Sequence, residues 1–160
     1  MKFARTIRFD ESDENIFARA AEPGAWAISG SFEFSNWTEA DLTGKSRQAF
    51  ANGWLSLTDF GRATFVAIAQ IEPDERAALE NRLAEHFVTY YGAPSIADAL
   101  PVARDEISFM ADLCADHAPN TLLAVSRSLT TAGVNEAFKA ISPADADLDL
   151  VAIHGSLDPE

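Results

Sequence analysis

The sequence predicts a single α+β domain over residues 1–160: a mixed or mostly antiparallel sheet of about five to six strands packed with about four helices. Three observations predict it. The run Arg62-Ala63-Thr64-Phe65-Val66-Ala67-Ile68-Ala69-Gln70-Ile71 holds eight apolar or threonine residues in ten, without polar alternation, which marks a central strand covered on both faces. Trp26, Ile28, Gly30, Phe32 and Phe34 alternate with Ala27, Ser29, Ser31 and Glu33, the period of a half-buried strand. Leu79, Leu83 and Phe87 recur at four-residue spacing between Pro73 and Gly92, as in an amphipathic helix with a proline start and a glycine stop.

In chain order, residues 2–9 put Phe3, Ile7 and Phe9 on one side and Lys2, Thr6 and Arg8 on the other, a strand with one wet face and Arg5 as its exception. Residues 15–21 fit either a strand or two helical turns, and the strand is the preferred reading. Thr38 and Asp41 form a capping box, with Trp37 and Leu42 at the staple positions, opening a helix that should run to about Asn52 and stop at Gly53. After the central strand and the 73–91 helix, Ser95 to Asp98 starts a short helical piece. Pro101 opens another, with Ile107, Met110, Cys114 and His117 on one stripe. Residues 121–130 read as a strand carrying one odd charge, Arg127, among Leu123, Val125 and Leu129. A short helix around Val134, Phe138 and Ile141 and a last strand over 149–156 complete the pattern. Strand order is not readable from it.

The net charge of −13, from 25 acidic and 12 basic residues, opposes the counterion release that drives nucleic-acid binding, and the same sign disfavours anionic membranes. No apolar run approaches the ~20 residues that span a bilayer. The lone Cys114 cannot form an internal disulfide. These features lead us to expect a cytoplasmic protein without nucleic-acid or membrane partners.

The motifs that could carry chemistry are few. Thr43-Gly44-Lys45-Ser46 resembles the end of a phosphate-binding loop, but Glu39 stands where that loop needs its first glycine. Cys114 and His117 are three residues apart, too few to make a metal site, and Cys114 falls on the buried stripe as an inert thiol. No Gly-x-Ser-x-Gly turn occurs. No cofactor or metal is therefore expected. His154 could act as a general base beside Arg127 or Asp13, and Trp37 lies at a strand-to-helix junction where ligands commonly meet a sheet. Trp37, Arg127 and His154 are thus the candidate pocket or interface residues.

The stretch Phe32-Glu33-Phe34-Ser35-Asn36-Trp37-Thr38-Glu39-Ala40-Asp41-Leu42-Thr43-Gly44-Lys45, followed by Ala49-Phe50-Ala51-Asn52-Gly53-Trp54-Leu55, resembles a bacterial family of short acidic proteins classed as a domain of unknown function. The resemblance implies a bacterial protein and assigns no residue a role. With no catalytic constellation intact, the expected function is that of a non-catalytic binding or accessory protein that self-associates or meets a protein partner. The alternative is a small enzyme with its site near His154, Arg127 and Trp37.

Overall fold

The computed structural model describes residues 1–8 and 12–142. Phe9, the expected strand over 149–156 and His154 within it lie outside those residues. The fold is α+β. Its strands are β1 (Lys2–Ile7), β2 (Trp26–Ile28), β3 (Trp54–Ser56), β4 (Arg62–Ala63), β5 (Phe65–Gln70), β6 (Leu122–Thr130) and β7 (Gly133–Ile141). They form one seven-stranded sheet in the order β4-β3-β2-β1-β5-β6-β7, every neighbouring pair antiparallel, so the strand count exceeds the expectation. The helices are α1 (Ser12–Ile16), α2 (Gly44–Asn52), α3 (Pro73–Tyr90) and α4 (Ile96–Ala115).

The apolar run at residues 62–71 is central, but only from Phe65 onward, where β5 lies between β1 and β6. Its first two residues form the edge strand β4. The break falls at Thr64. There the carboxylate of the buried Asp13 accepts from the Thr64 hydroxyl at 2.6 Å and from its amide at 3.3 Å, drawing Thr64 out of the ladder. The same contact anchors α1, which takes in Asn15 and Ile16 at the start of the 15–21 segment, so the preferred strand there is not formed. In the 15–21 segment only Ala20 makes a bridge, a parallel one with Arg62 that covers the outer edge of β4.

Other expectations change for equally local reasons. In β1 neither face is wet throughout: Ala4 and Thr6 are buried, and the Thr6 hydroxyl donates to the Glu22 carbonyl at 2.6 Å while accepting from the Ala25 amide at 3.1 Å. The strand predicted through Phe34 stops at Ile28, because Gly30 turns left-handed at φ +72° and leads into a 3-10 turn over Ser31–Phe34. A Cβ on Gly30 would stand 2.5 Å from that of Leu55, so no other residue fits the turn. Trp54 and Leu55 form a strand where only a packed exit from the helix was expected.

The expected helix from Thr38 splits into a 3-10 turn, Glu39–Asp41, and α2, although Asp41 does accept from the Thr38 amide at 2.8 Å. The two pieces around Pro101 merge into α4. Ser95 caps it by accepting from the Asp98 amide, and the buried stripe Ala99, Ala103, Ile107, Met110 and Cys114 runs straight past the proline. The helix expected around Val134 and Phe138 is instead β7. Those residues also fit a two-residue period, and β6 offers a nine-residue edge on which Thr130 pairs with Gly133 and Leu122 with Ile141.

The main core joins Phe3, Trp26, Ile28, Trp54, Val66 and Ile68 of the sheet to Leu83, Phe87, Ile107 and Met110 of the paired helices α3 and α4. A smaller cluster of Phe65, Leu122 and Ile141 forms where β5, β6 and β7 meet, with Ile7 and Ala67 packed against it. Phe65 is buried in the middle of the sheet, so Phe65→Ala is expected to cost about 3–5 kcal/mol in urea melts. A loss under about 1 kcal/mol would contradict that placement.

Candidate functional site

Two buried guanidiniums meet behind Gly30 and the end of α2. Arg62, from β4, donates through Nη1 to the carbonyls of Gly53 at 3.0 Å and Ser29 at 3.2 Å, and through Nη2 to Gly30 at 3.0 Å. Arg127, from β6, donates through Nη1 to Gly53 and Phe50, both at 2.9 Å, and through Nη2 to Ser29 at 2.5 Å. Both therefore cap the carbonyl end of α2, where the helix dipole favours cations. Glu33 pairs with Arg62 at 2.5 Å and Glu136 with Arg127 at 3.0 Å, so the four charges sum to zero. The hydroxyls of Ser29 and Ser31 donate to Glu136, and Ser31 accepts from Arg127 Nε at 2.7 Å. Both guanidiniums also lie on the Phe34 ring, at 4.6 Å for Arg62 and 5.3 Å for Arg127. Burial pushes both arginines down from their ordinary value, and the neighbouring Arg62 adds to this at Arg127, which falls to about 10. Arg127 at about 10 is charged at neutral pH. Of this machinery Arg62 and Glu33 also line a concave surface.

That surface is a cleft of about 660 Å³ between α2, α3 and the loops at 17–19 and 58–61. Leu55 and Arg62 form its floor, Trp37 and Ala49 one wall, and Arg82, His86 and Tyr90 of α3 the other. His86 lies flat on Phe60, with ring centroids 3.7 Å apart and planes within 4°. Phe60 holds a left-handed φ of +58°, unusual for a bulky residue. Asp59 holds the loop in that shape by accepting from the amides of Gly61 and Glu22, each at 2.9 Å. Burial would raise the Asp59 carboxyl, but these amides and the Ser56 hydroxyl outweigh it and leave it lowered. Burial pushes the His86 imidazole down from its ordinary value; Glu33 opposes this and Arg82 adds to it. The imidazole has no hydrogen-bond partner among the described residues, so a neutral donor and acceptor edge is open in the cleft.

A family model matches residues 1–159. The chain belongs to DUF6505, a family of unknown function. This agrees with the resemblance read along residues 32–55. No curated protein and no solved structure matches the chain.

Of the residues singled out in this DUF6505 chain, Trp37 lines the cleft, edge-on to Phe34 at 4.7 Å and stacked over Phe50 at 6.4 Å. Arg127 lies over the Phe34 ring at 5.3 Å, in the buried junction and outside the cleft lining. The structure thus brings Trp37 and Arg127 to one phenylalanine, while His154 lies outside the described residues. Cys114 is buried, and its thiol is pushed up to about 12 by burial, far from nucleophilic at neutral pH. Among the described residues no three His, Cys, Asp or Glu side chains gather closely enough to hold a metal. No helix among them is long and apolar enough to cross a membrane.

Sequence reasoning missed Arg62, Glu33 and His86. Arg62 did carry a signal, a charge opening an apolar run just as Arg127 interrupts one. Nothing in the spacing pointed to Glu33 or His86.

Arg127→Met leaves Glu136 without its cation and removes a donor from the Phe50, Gly53 and Ser29 carbonyls, of which Gly53 and Ser29 keep Arg62; it is expected to cost about 3–5 kcal/mol in denaturant melts, and under about 1 kcal/mol would show that the junction is dispensable. In NMR titration, His86 is expected to protonate below the ordinary histidine value. The unfolded chain then binds that proton more readily than the folded one, so stability rises with pH through this window and is lost on acidification. His86→Gln should flatten that part of the wild-type profile, and an unchanged slope would contradict the assignment.

Proposed function

We propose that the protein is a non-catalytic accessory protein of the bacterial cytoplasm that holds a small ligand in this cleft and associates with copies of itself. The observation that carries the ligand reading is the cleft's make-up. Its volume of about 660 Å³ suits a small molecule, and its aromatic walls surround a few convergent polar groups, as in small-molecule sites generally. The left-handed Phe60 adds weight, since strained backbone gathers at sites where a ligand is clamped. Self-association is supported by the exposed rings of Tyr90, Tyr91 and Phe109 and by the exposed Val102. The single buried thiol suits a reducing compartment, and the bacterial assignment rests on the sequence resemblance.

A second reading, a small enzyme, is favoured by one observation, the unpartnered His86 with its lowered imidazole beside Glu33. Such a histidine suits general-base work at neutral pH. Under this reading the reacting group would sit in the cleft, near Trp37 and away from Arg127.

A fragment screen by ¹H–¹⁵N NMR tests the ligand reading. Hits are expected to shift the amides of Trp37, Phe60, His86 and Thr89 together and saturably, whereas hits scattered over the surface, or none, would contradict it. Light scattering at micromolar concentration is expected to give a mass above that of one 17.3 kDa chain, and a strict monomer would remove self-association.

A further inference from the structure

The cleft is a cationic spot on an acidic molecule. The chain carries −13 overall, yet four of its 12 basic residues, Arg19, Lys45, Arg62 and Arg82, line this one concavity against three acidic ones, Glu33, Asp59 and Glu85. Glu33 and Arg62 pair at 2.5 Å and cancel each other, and Asp59 is turned to the amides of Gly61 and Glu22, which leaves Arg19, Lys45 and Arg82 against Asp59 and Glu85, an excess of one positive charge. Arg82 donates to the Leu57 and Thr58 carbonyls, which orient its head without cancelling its charge. The side chains of Arg19 and Lys45 have neither an ion-pair nor a hydrogen-bond partner among the described residues. On the floor, Arg62 is 4% exposed and its Nε has no acceptor among the described residues, a donor left over in a group that is otherwise fully bonded.

The apolar part of the cleft is aromatic. Trp37, Phe60, His86 and Tyr90 all line it, with His86 and Phe60 already stacked face to face. Flat walls of this kind recognise a flat ring. A low-dielectric cavity with excess positive charge also concentrates small anions, the more so where the surrounding surface repels them.

We propose that the cleft binds a compact anion built on an aromatic ring, with its ring between Trp37 and the α3 wall and its carboxylate or phosphate group held by Arg19 and Lys45. This rests on the ligand-binding reading above and adds the chemical class. Neutral His86 supplies a hydrogen bond to a ring substituent, and Arg19 and Lys45 select for charge.

Three probes of one ring size separate the terms: 2-naphthoate, 2-naphthyl phosphate and the neutral 2-naphthalenemethanol, each titrated into the full chain and followed by ¹H–¹⁵N NMR. At least one anion is expected to shift the amides near His86 and Trp37 and to bind about tenfold or more tighter than the alcohol. The naphthoate and phosphate arms tell which anionic group is preferred, and either preference supports the class. Both side chains are exposed and unpaired among the described residues, so the Arg19→Gln, Lys45→Gln double variant should fold normally. It should lose about tenfold in anion affinity while binding the alcohol unchanged. Equal binding of alcohol and anions, or anion binding untouched in the variant, overturns the charge selection and leaves the cleft as a ligand site. No shift near His86 and Trp37 with any of the three overturns both.

Discussion

Two arginines donating to the same two carbonyls, those of Ser29 and Gly53, set the shape of this protein. Arg62 lies on β4 at one edge of the sheet and Arg127 on β6, next to the other edge, so sharing acceptors requires the sheet to curl until its edges approach. The consequences appear along the seam. Glu136 of β7 accepts from Ser29 and Ser31 beyond the end of β2, and Phe138 of β7 stacks on Trp54 of β3 at 5.6 Å. Two adjacent buried cations would be unstable alone. Here two carboxylates, the carbonyl end of α2 and the face of Phe34 share the work of holding them.

The same junction builds the cleft from behind. Gly53 allows the close approach, since a Cβ there would meet the Ala49 carbonyl at 2.8 Å and the Arg62 side chain at 3.0 Å. Arg62 presents Glu33 to the cleft floor, and Phe34 carries the packing outward to Trp37. From the other side, Asp59 fixes the loop that sets Phe60 under His86. Two polar anchors therefore position the aromatic walls, and the ligand reading depends on both.

How much of this was legible in the sequence follows from which signals are local. The helix α3 could be read because its proline start, leucine spacing and glycine stop all lie within one segment. The central place of β5 was visible in its unbroken apolar residues, but its separation from β4 was not, because the cause is Asp13, 51 residues away from Thr64. Arg127 stood out as a charge among apolar neighbours. Glu136, its partner, did not, because the strand that carries it also satisfies helical spacing. Trp37 was singled out at an expected strand-to-helix junction; it lines the cleft, but between two 3-10 turns, since the strand before it stops at Ile28. His86 was hidden because its setting in the cleft comes from a loop at Phe60, packed against α3 from elsewhere in the chain.

The account stands on the arginine junction holding the curl, and native-state hydrogen exchange of Arg127→Met against wild type tests it most directly. The junction account predicts that protection falls first and furthest in residues 29–34, 49–54 and 133–138, while α3 and β1 lose only what the lower global stability takes from every segment. Loss spread evenly over the chain, or protection unchanged in those three segments, would contradict it.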